Sequence, residues 1–252
     1  MPATPILEVK NLTIGYGAKS VCTDIHFFLQ PGEICCVIGP NGGGKSTLLS
    51  TLCRQLPPLS GEILLENMPV ETILAKDFAK KAAILTTRRP RTELTTCREI
   101  VESGRYPYTG TFGLLSDDDH AAVDLAMREA AVTELADALF SEISDGQKQR
   151  VMLAKAFAQE TELLILDEPT SFLDIRYQLE FLQSLSKKVR QDKLSVVMSM
   201  HEVETAAKIA DTVVCLGDGK MQACGRAEIV TDKLIQKLFH IDATLFGQLK
   251  WT

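Results

Sequence analysis

A chain of 252 residues, 45% of them hydrophobic, is long enough for one large or two smaller domains and carries ample apolar surface for a core. Its 27 basic residues fall short of its 33 acidic ones; the net charge of -6 gives no whole-chain attraction to nucleic acid or anionic lipid, and no nucleic-acid partner is expected. No apolar run approaches the roughly 18 residues of a membrane span, and Met1 to Asn11 lacks the basic start and apolar stretch of a secretory leader. Seven cysteines without CxxC spacing or nearby paired histidines fit neither a disulfide framework nor a zinc site. The expectation is a cytoplasmic protein with reduced thiols, in which Cys35 and Cys36 pack as small hydrophobes.

Residues 6–35 alternate apolar and polar over short stretches, with turn signals at Gly15, Gly17 and Pro31-Gly32, the pattern of a small antiparallel sheet. A strand follows and ends in glycines. The spacing of Leu48, Leu49 and Leu52 predicts a helix from Lys45 to Leu56, stopped by Pro57-Pro58. From about Arg98 to Gln159 the chain is rich in Ala, Leu, Glu and Lys, which predicts a helical subdomain. Two apolar runs, Leu163 to Leu166 and Ser195 to Met200, read as strands on either side of a helix from Ile175 to Val189, with another strand at Thr212 to Leu216. The tail, Ala227 to Thr252, reads as one amphipathic helix and a short extension. Strands alternating with helices imply an α/β fold with a mainly parallel sheet. No repeat, low-complexity segment or linker interrupts it, so the helical region reads as an insertion and the chain as a single domain.

The segment Gly39, Pro40, Asn41, Gly42, Gly43, Gly44, Lys45, Ser46, followed by Thr47, satisfies the phosphate-binding pattern GxxxxGK(S/T) and falls between a predicted strand and a predicted helix. Glycines let successive backbone N–H groups converge on phosphates, and the helix presents its positive end to them. In this arrangement Lys45 would reach the β and γ phosphates of a bound nucleotide, and the Ser46 hydroxyl would ligate Mg2+. Further on, Leu163-Leu-Ile-Leu-Asp167-Glu168 places two carboxylates at the end of an apolar strand. Two acids beside a triphosphate make sense where Asp167 serves the metal and Glu168 polarises a water for in-line attack.

Taken alone, several of these features have plainer readings: an acid pair can simply mark a strand meeting solvent, Tyr16 can be an ordinary sheet aromatic, and His201 a polar residue at a strand end. Their order along the chain carries a resemblance. Ile143-Ser-Asp-Gly-Gln147 looks like the LSGGQ signature of ATP-binding-cassette proteins, Ser171-Phe-Leu-Asp174 is similar to their D-loop, and His201 is similar to their switch histidine. Tyr16 matches the aromatic residue that stacks on adenine. The resemblance implies a P-loop NTPase (RecA-like) core with an N-terminal antiparallel β subdomain and a helical subdomain inserted at about residues 95–159. It also implies that His201 contacts the γ phosphate, that Asp174 lies at the nucleotide, and that Ser144, Gly146 and Gln147 contact ATP held by a second copy of the chain.

Two positions depart from that family pattern. Thr87, in Ala83-Ile-Leu-Thr-Thr87-Arg-Arg-Pro90, stands at or near the place of the usual glutamine. The expectation is that a water completes the Mg2+ shell or that Arg88 senses the γ phosphate; the alternative reading of Arg88, Arg89 and Arg91 is a solvated basic loop. Asp145 replaces the first signature glycine and is expected to face away from phosphate. The stretch Glu99 to Tyr108, continuing to Leu115-Ser116-Asp117, is similar to importers of iron-siderophore complexes, haem and cobalamin. That resemblance implies an ATPase on the inner face of the cell membrane, docked on a multi-span permease and served indirectly by a substrate-binding protein. The alternatives are a soluble ATPase of the same superfamily, in repair, translation or iron-sulfur assembly, and a P-loop kinase or GTPase; the signature and the switch histidine argue against the latter.

Overall fold

Residues 4–86, 92–110, 112–171, 173–242 and 244 are described by the computed structural model of the chain. Contacts divide the polypeptide into two units, Met1–Thr72 with Ser195–Thr252, and Ile73–Leu194.

The first unit begins with β1 (Leu7–Tyr16) and β2 (Lys19–Leu29), an antiparallel pair turned at Gly17. Alternation buries Leu7 and Val9 along β1, and after a register shift at Lys10-Asn11, where Asn11 takes a φ of 45°, it resumes with Leu12 and Ile14 buried. β3 (Ile34–Ile38) is apolar at every position and buried throughout, the mark of a central parallel strand. It empties into the glycine segment that precedes α1 (Lys45–Leu52). This helix stops at Leu52 rather than Leu56, because Arg54 takes a left-handed φ of 60° before the prolines are reached. β4 (Ser60–Leu65) then pairs with β1, and the two-residue β5 (Met68–Pro69) with β4.

The second unit contains α2 (Ala75–Lys81), β6 (Ala82–Leu85), α3 (Cys97–Glu102), α4 (Asp117–Glu129), α5 (Asp145–Ala158), β7 (Leu163–Leu166) and α6 (Ile175–Asp192). β6 and β7 are parallel, with Ala82 opposite Leu163 and Leu85 opposite Leu166. The three inner helices share one device: Thr96 with Glu99, Ser116 with Asp119, and Ser144 with Gln147 each exchange side-chain and backbone hydrogen bonds as capping boxes. Each box satisfies donors that a helix start leaves orphaned. Gly104 lies so close to α5 that a Cβ there would stand 2.3 Å from the Lys155 carbonyl oxygen. Next to it, buried Arg105 donates to Asp119 (2.8 Å), to the Ala158 carbonyl (2.6 Å) and to Glu160 (2.7 Å), with its guanidinium over the Tyr108 ring.

The chain returns to the first unit through β8 (Ser195–Ser199), α7 (Val203–Ile209), β9 (Thr212–Gly217), β10 (Lys220–Gly225) and α8 (Asp232–Phe239). β8 and β9 flank β3 on its two sides, both parallel to it, and β10 runs antiparallel to β9. The tail holds one amphipathic helix, α8, after a 3₁₀ turn at Ala227–Ile229; residues 243 and 245–252 lie outside the described residues. All seven cysteines are free thiols; Cys35 and Cys36 are fully buried, and burial pushes both thiols up from their ordinary range. Among the described residues no helix is long and apolar enough to cross a membrane.

Candidate functional site

The first unit carries Tyr16, residues 39–47 and His201. β3 delivers Gly39 to the end of the sheet beside β9, where a Cβ would stand 2.0 Å from the Leu216 carbonyl oxygen, so no side chain fits. The Gly43 N–H donates to the Pro40 carbonyl at 3.1 Å, closing the loop on itself. Gly44 caps α1 with a φ of 98°, a conformation that L side chains rarely adopt. The loop continues into a helix whose N-terminal dipole favours anions. Pro40, Asn41 and Gly42 form its outer curve, the last two exposed.

Lys45 is 5% exposed, and its ammonium donates to the Gly39 (2.9 Å) and Pro40 (3.2 Å) carbonyls, so the cation lies across the loop it belongs to. Ser46 is exposed on the first turn of α1, whereas Thr47 is buried. Tyr16 leaves the end of β1 with its hydroxyl 3.3 Å from the Thr47 hydroxyl, which brings an aromatic ring, half exposed, to the head of α1. Beyond β8 the Met200 N–H donates to the Val37 carbonyl, so the exposed His201 leaves the sheet at the same end as Gly39.

The second unit carries the acid pair, the signature and Asp174. β7 is buried at all four positions and releases Asp167 and Glu168, both half-buried, at its C-terminal end. The Asp167 N–H still donates to the Leu85 carbonyl (2.9 Å), while Glu168 takes a left-handed φ of 48°. For a residue with a Cβ this conformation costs on the order of 1–2 kcal/mol, and such strain concentrates where a side chain must be aimed. The Ser171 N–H closes the turn on the Glu168 carbonyl, and its hydroxyl reaches the Glu168 carboxylate at 3.4 Å. A carboxylate so oriented can accept a proton from water.

Ser144 is the N-cap of α5: its hydroxyl accepts the Gln147 N–H, and the Gln147 side chain accepts the Ser144 N–H. Gly146 lies against the Tyr177 ring, where a Cβ would come within 2.8 Å. Asp145 is exposed on the first turn of α5. Asp174 caps α6 by accepting the Tyr177 N–H at 3.0 Å, a structural task that the sequence pattern did not reveal. Also unforeseen is Gln149, buried on α5, whose amide donates to the Pro169 carbonyl at 2.8 Å. A polar residue recurring with Gly146 and Leu153 on the buried stripe of a helix is the signal that could have found it. Thr87, Arg88, Arg89 and Arg91 lie outside the described residues.

A buried parallel strand that empties into a lysine-bearing glycine loop, with a second strand ending in an acid pair, is the build of P-loop nucleoside triphosphatases, and that is the class this fold defines. Within that class the chain belongs to the ABC transporter family, whose model matches residues 22–171, and it is an ATPase of that family. It is 36% identical over 240 residues to the iron(3+)-hydroxamate import ATP-binding protein FhuC of Bacillus subtilis, covering 95% of this chain and 89% of that one. It is 35% identical over 234 residues to the ferric enterobactin transport ATP-binding protein FepC of Escherichia coli, covering 92% and 86%. Among solved structures, cbiO1 from Clostridium perfringens, part of the ABC transporter complex cbiONQ, matches with a TM-score of 0.80 at 26% identity over 98% of each chain.

Proposed function

We propose that this chain is the ATP-hydrolysing subunit of an importer for an iron complex, siderophore or haem, or for cobalamin, working as a homodimer beneath a separate multi-span permease. Relatives named for ferric hydroxamate and ferric enterobactin transport support the importer reading. One observation supports the dimeric mechanism: besides the glycine loop that opens α1, the Ser144-capped start of α5 is a second helix N-terminus, of the kind whose dipole favours phosphate. A phosphate site needs only one such head from each chain, so two copies form two sites. The whole chain then acts as one cassette, with residues 95–159 or so as its helical subdomain.

In this mechanism Tyr16 stacks on the adenine, and the backbone from Gly39 to Thr47 with Lys45 grips the β and γ phosphates. Ser46 and Asp167 would hold Mg2+, which when bound offsets the phosphate charge. A hydroxyl and a single carboxylate suit that ion, which fills its shell with waters and substrate phosphates; among the described residues no cluster of three or more His, Cys, Asp or Glu is placed to hold a metal alone. Glu168 polarises the attacking water, His201 contacts the γ phosphate, and Ser144, Gly146 and Gln147 of a second copy close over it. Asp174, which caps α6, lies at the nucleotide.

Exposed Leu94, Tyr106, Phe112 and Leu114, on the segments leading into α3 and α4, support a docking role for that surface toward the permease, and thus a place on the inner face of the membrane. A substrate-binding protein would select the cargo. The experiment is Glu168→Gln: ATP binding should persist, a stable nucleotide-dependent dimer should form, and turnover should fall on the order of 100-fold or more. Unchanged turnover would contradict the assignment.

A further inference from the structure

Three contacts join the first two turns of α5 to the segment that follows Glu168. The Gln149 amide, 5% exposed, donates to the carbonyl of buried Pro169. Gly146 packs against the Tyr177 ring, and the Arg150 guanidinium lies over the same ring, 5.7 Å from its centre. Of these only the Gln149 bond reaches the residue next to the catalytic carboxylate.

Glu168 thus stands between two backbone anchors. On one side Asp167 is tied to β6 through its N–H to Leu85, and on the other Pro169 is tied to α5 through Gln149. The left-handed φ of Glu168 is the hinge between them, and a shift of α5 moves one anchor relative to the other. A buried carbonyl with a single fixed donor follows that donor, because leaving it unpaired is costly.

We infer that Gln149 is a positioning residue: it couples the aim of Glu168 to the head of α5, so that phosphate seated by a second copy on Ser144–Gln147 sets the general base of the same chain. The inference rests on the proposed function, with Glu168 as base and the α5 head as a site acting in trans. Each nucleotide then prepares the carboxylate that serves the other, and hydrolysis waits until both are seated.

The test uses the purified full chain and two variants. Gln149→Leu keeps the bulk and removes the donor. Its expected kcat falls about 10- to 100-fold, the loss typical of a misaimed catalytic group, with binding of a fluorescent ATP analogue unchanged within about twofold. Gln149→Glu can donate to the Pro169 carbonyl only when protonated, so its turnover, taken as a ratio to wild type at each pH, should rise as pH falls. This second readout decides the matter if the leucine variant folds poorly. A leucine variant that turns over like wild type, one that loses turnover only in proportion to nucleotide binding, or a ratio independent of pH overturns the inference. Wild-type protein that binds ATP and never hydrolyses it would instead overturn the proposed function, which separates the two failures.

Discussion

Arg105→Met removes the cation at the centre of the second unit while keeping most of its apolar stem. Arg105 is 5% exposed and Asp119 is 6% exposed, so the variant leaves a buried carboxylate without its counter-ion. Breaking a buried pair from one side costs about 3–5 kcal/mol. The lower end applies here, about 3 kcal/mol, because Asp119 keeps the N–H and hydroxyl of Ser116 as donors. Loss of the donor to the Ala158 carbonyl adds about 1 kcal/mol. Glu160, with its side chain half exposed, adds little. The sum is about 4 kcal/mol, read as the difference in unfolding free energy from urea titrations followed by far-ultraviolet circular dichroism. Adding Asp119→Asn to the variant should recover part of that loss, since the stranded charge is then gone. A loss below about 1 kcal/mol, the worth of a surface pair, would refute the reasoning that Arg105 is the buried clamp of this unit.

The backbone N–H and hydroxyl of Ser116, with Arg105, hold the Asp119 carboxyl down at about 2. Its folded value lies below its unfolded one, so its contribution is complete above about pH 4 and is lost as pH falls toward 2; Asp119→Asn should flatten the acid limb of the stability curve in that window. Ser144→Asp keeps a good helix cap, so the unfolding midpoint should hold. The new carboxylate would face the phosphate of a second copy, and ATP turnover should fall at least tenfold; wild-type turnover would refute the trans role of the α5 head.

The strand, glycine turn and helix of residues 34–52 were legible because that build depends on local backbone geometry, which consecutive glycines and a following helix dictate without reference to distant residues. The helix that begins after Ser144 was legible too, and so was β7, whose four apolar residues read as buried; the reciprocal bonds of Ser144 with Gln147 came only with the structure. Short elements were not legible. β5 has two residues, β4 is exposed at its start, and β10 is exposed or half-buried along its length, so none carries a strong periodic signal.

What the sequence determined by itself, then, is the chemistry that neighbouring residues make together: a glycine cradle with its lysine, a serine-bearing helix head, two acids at a strand end. Only the tertiary structure decided how these are held, because the deciding contacts join residues far apart in the chain. The Leu216 carbonyl that forbids a side chain at Gly39, the Gln149 bond to Pro169, and the Arg105 clamp from Asp119 to Glu160 are such contacts. Each depends on where a backbone atom lands after packing, and packing is a property of the whole core that no local pattern encodes.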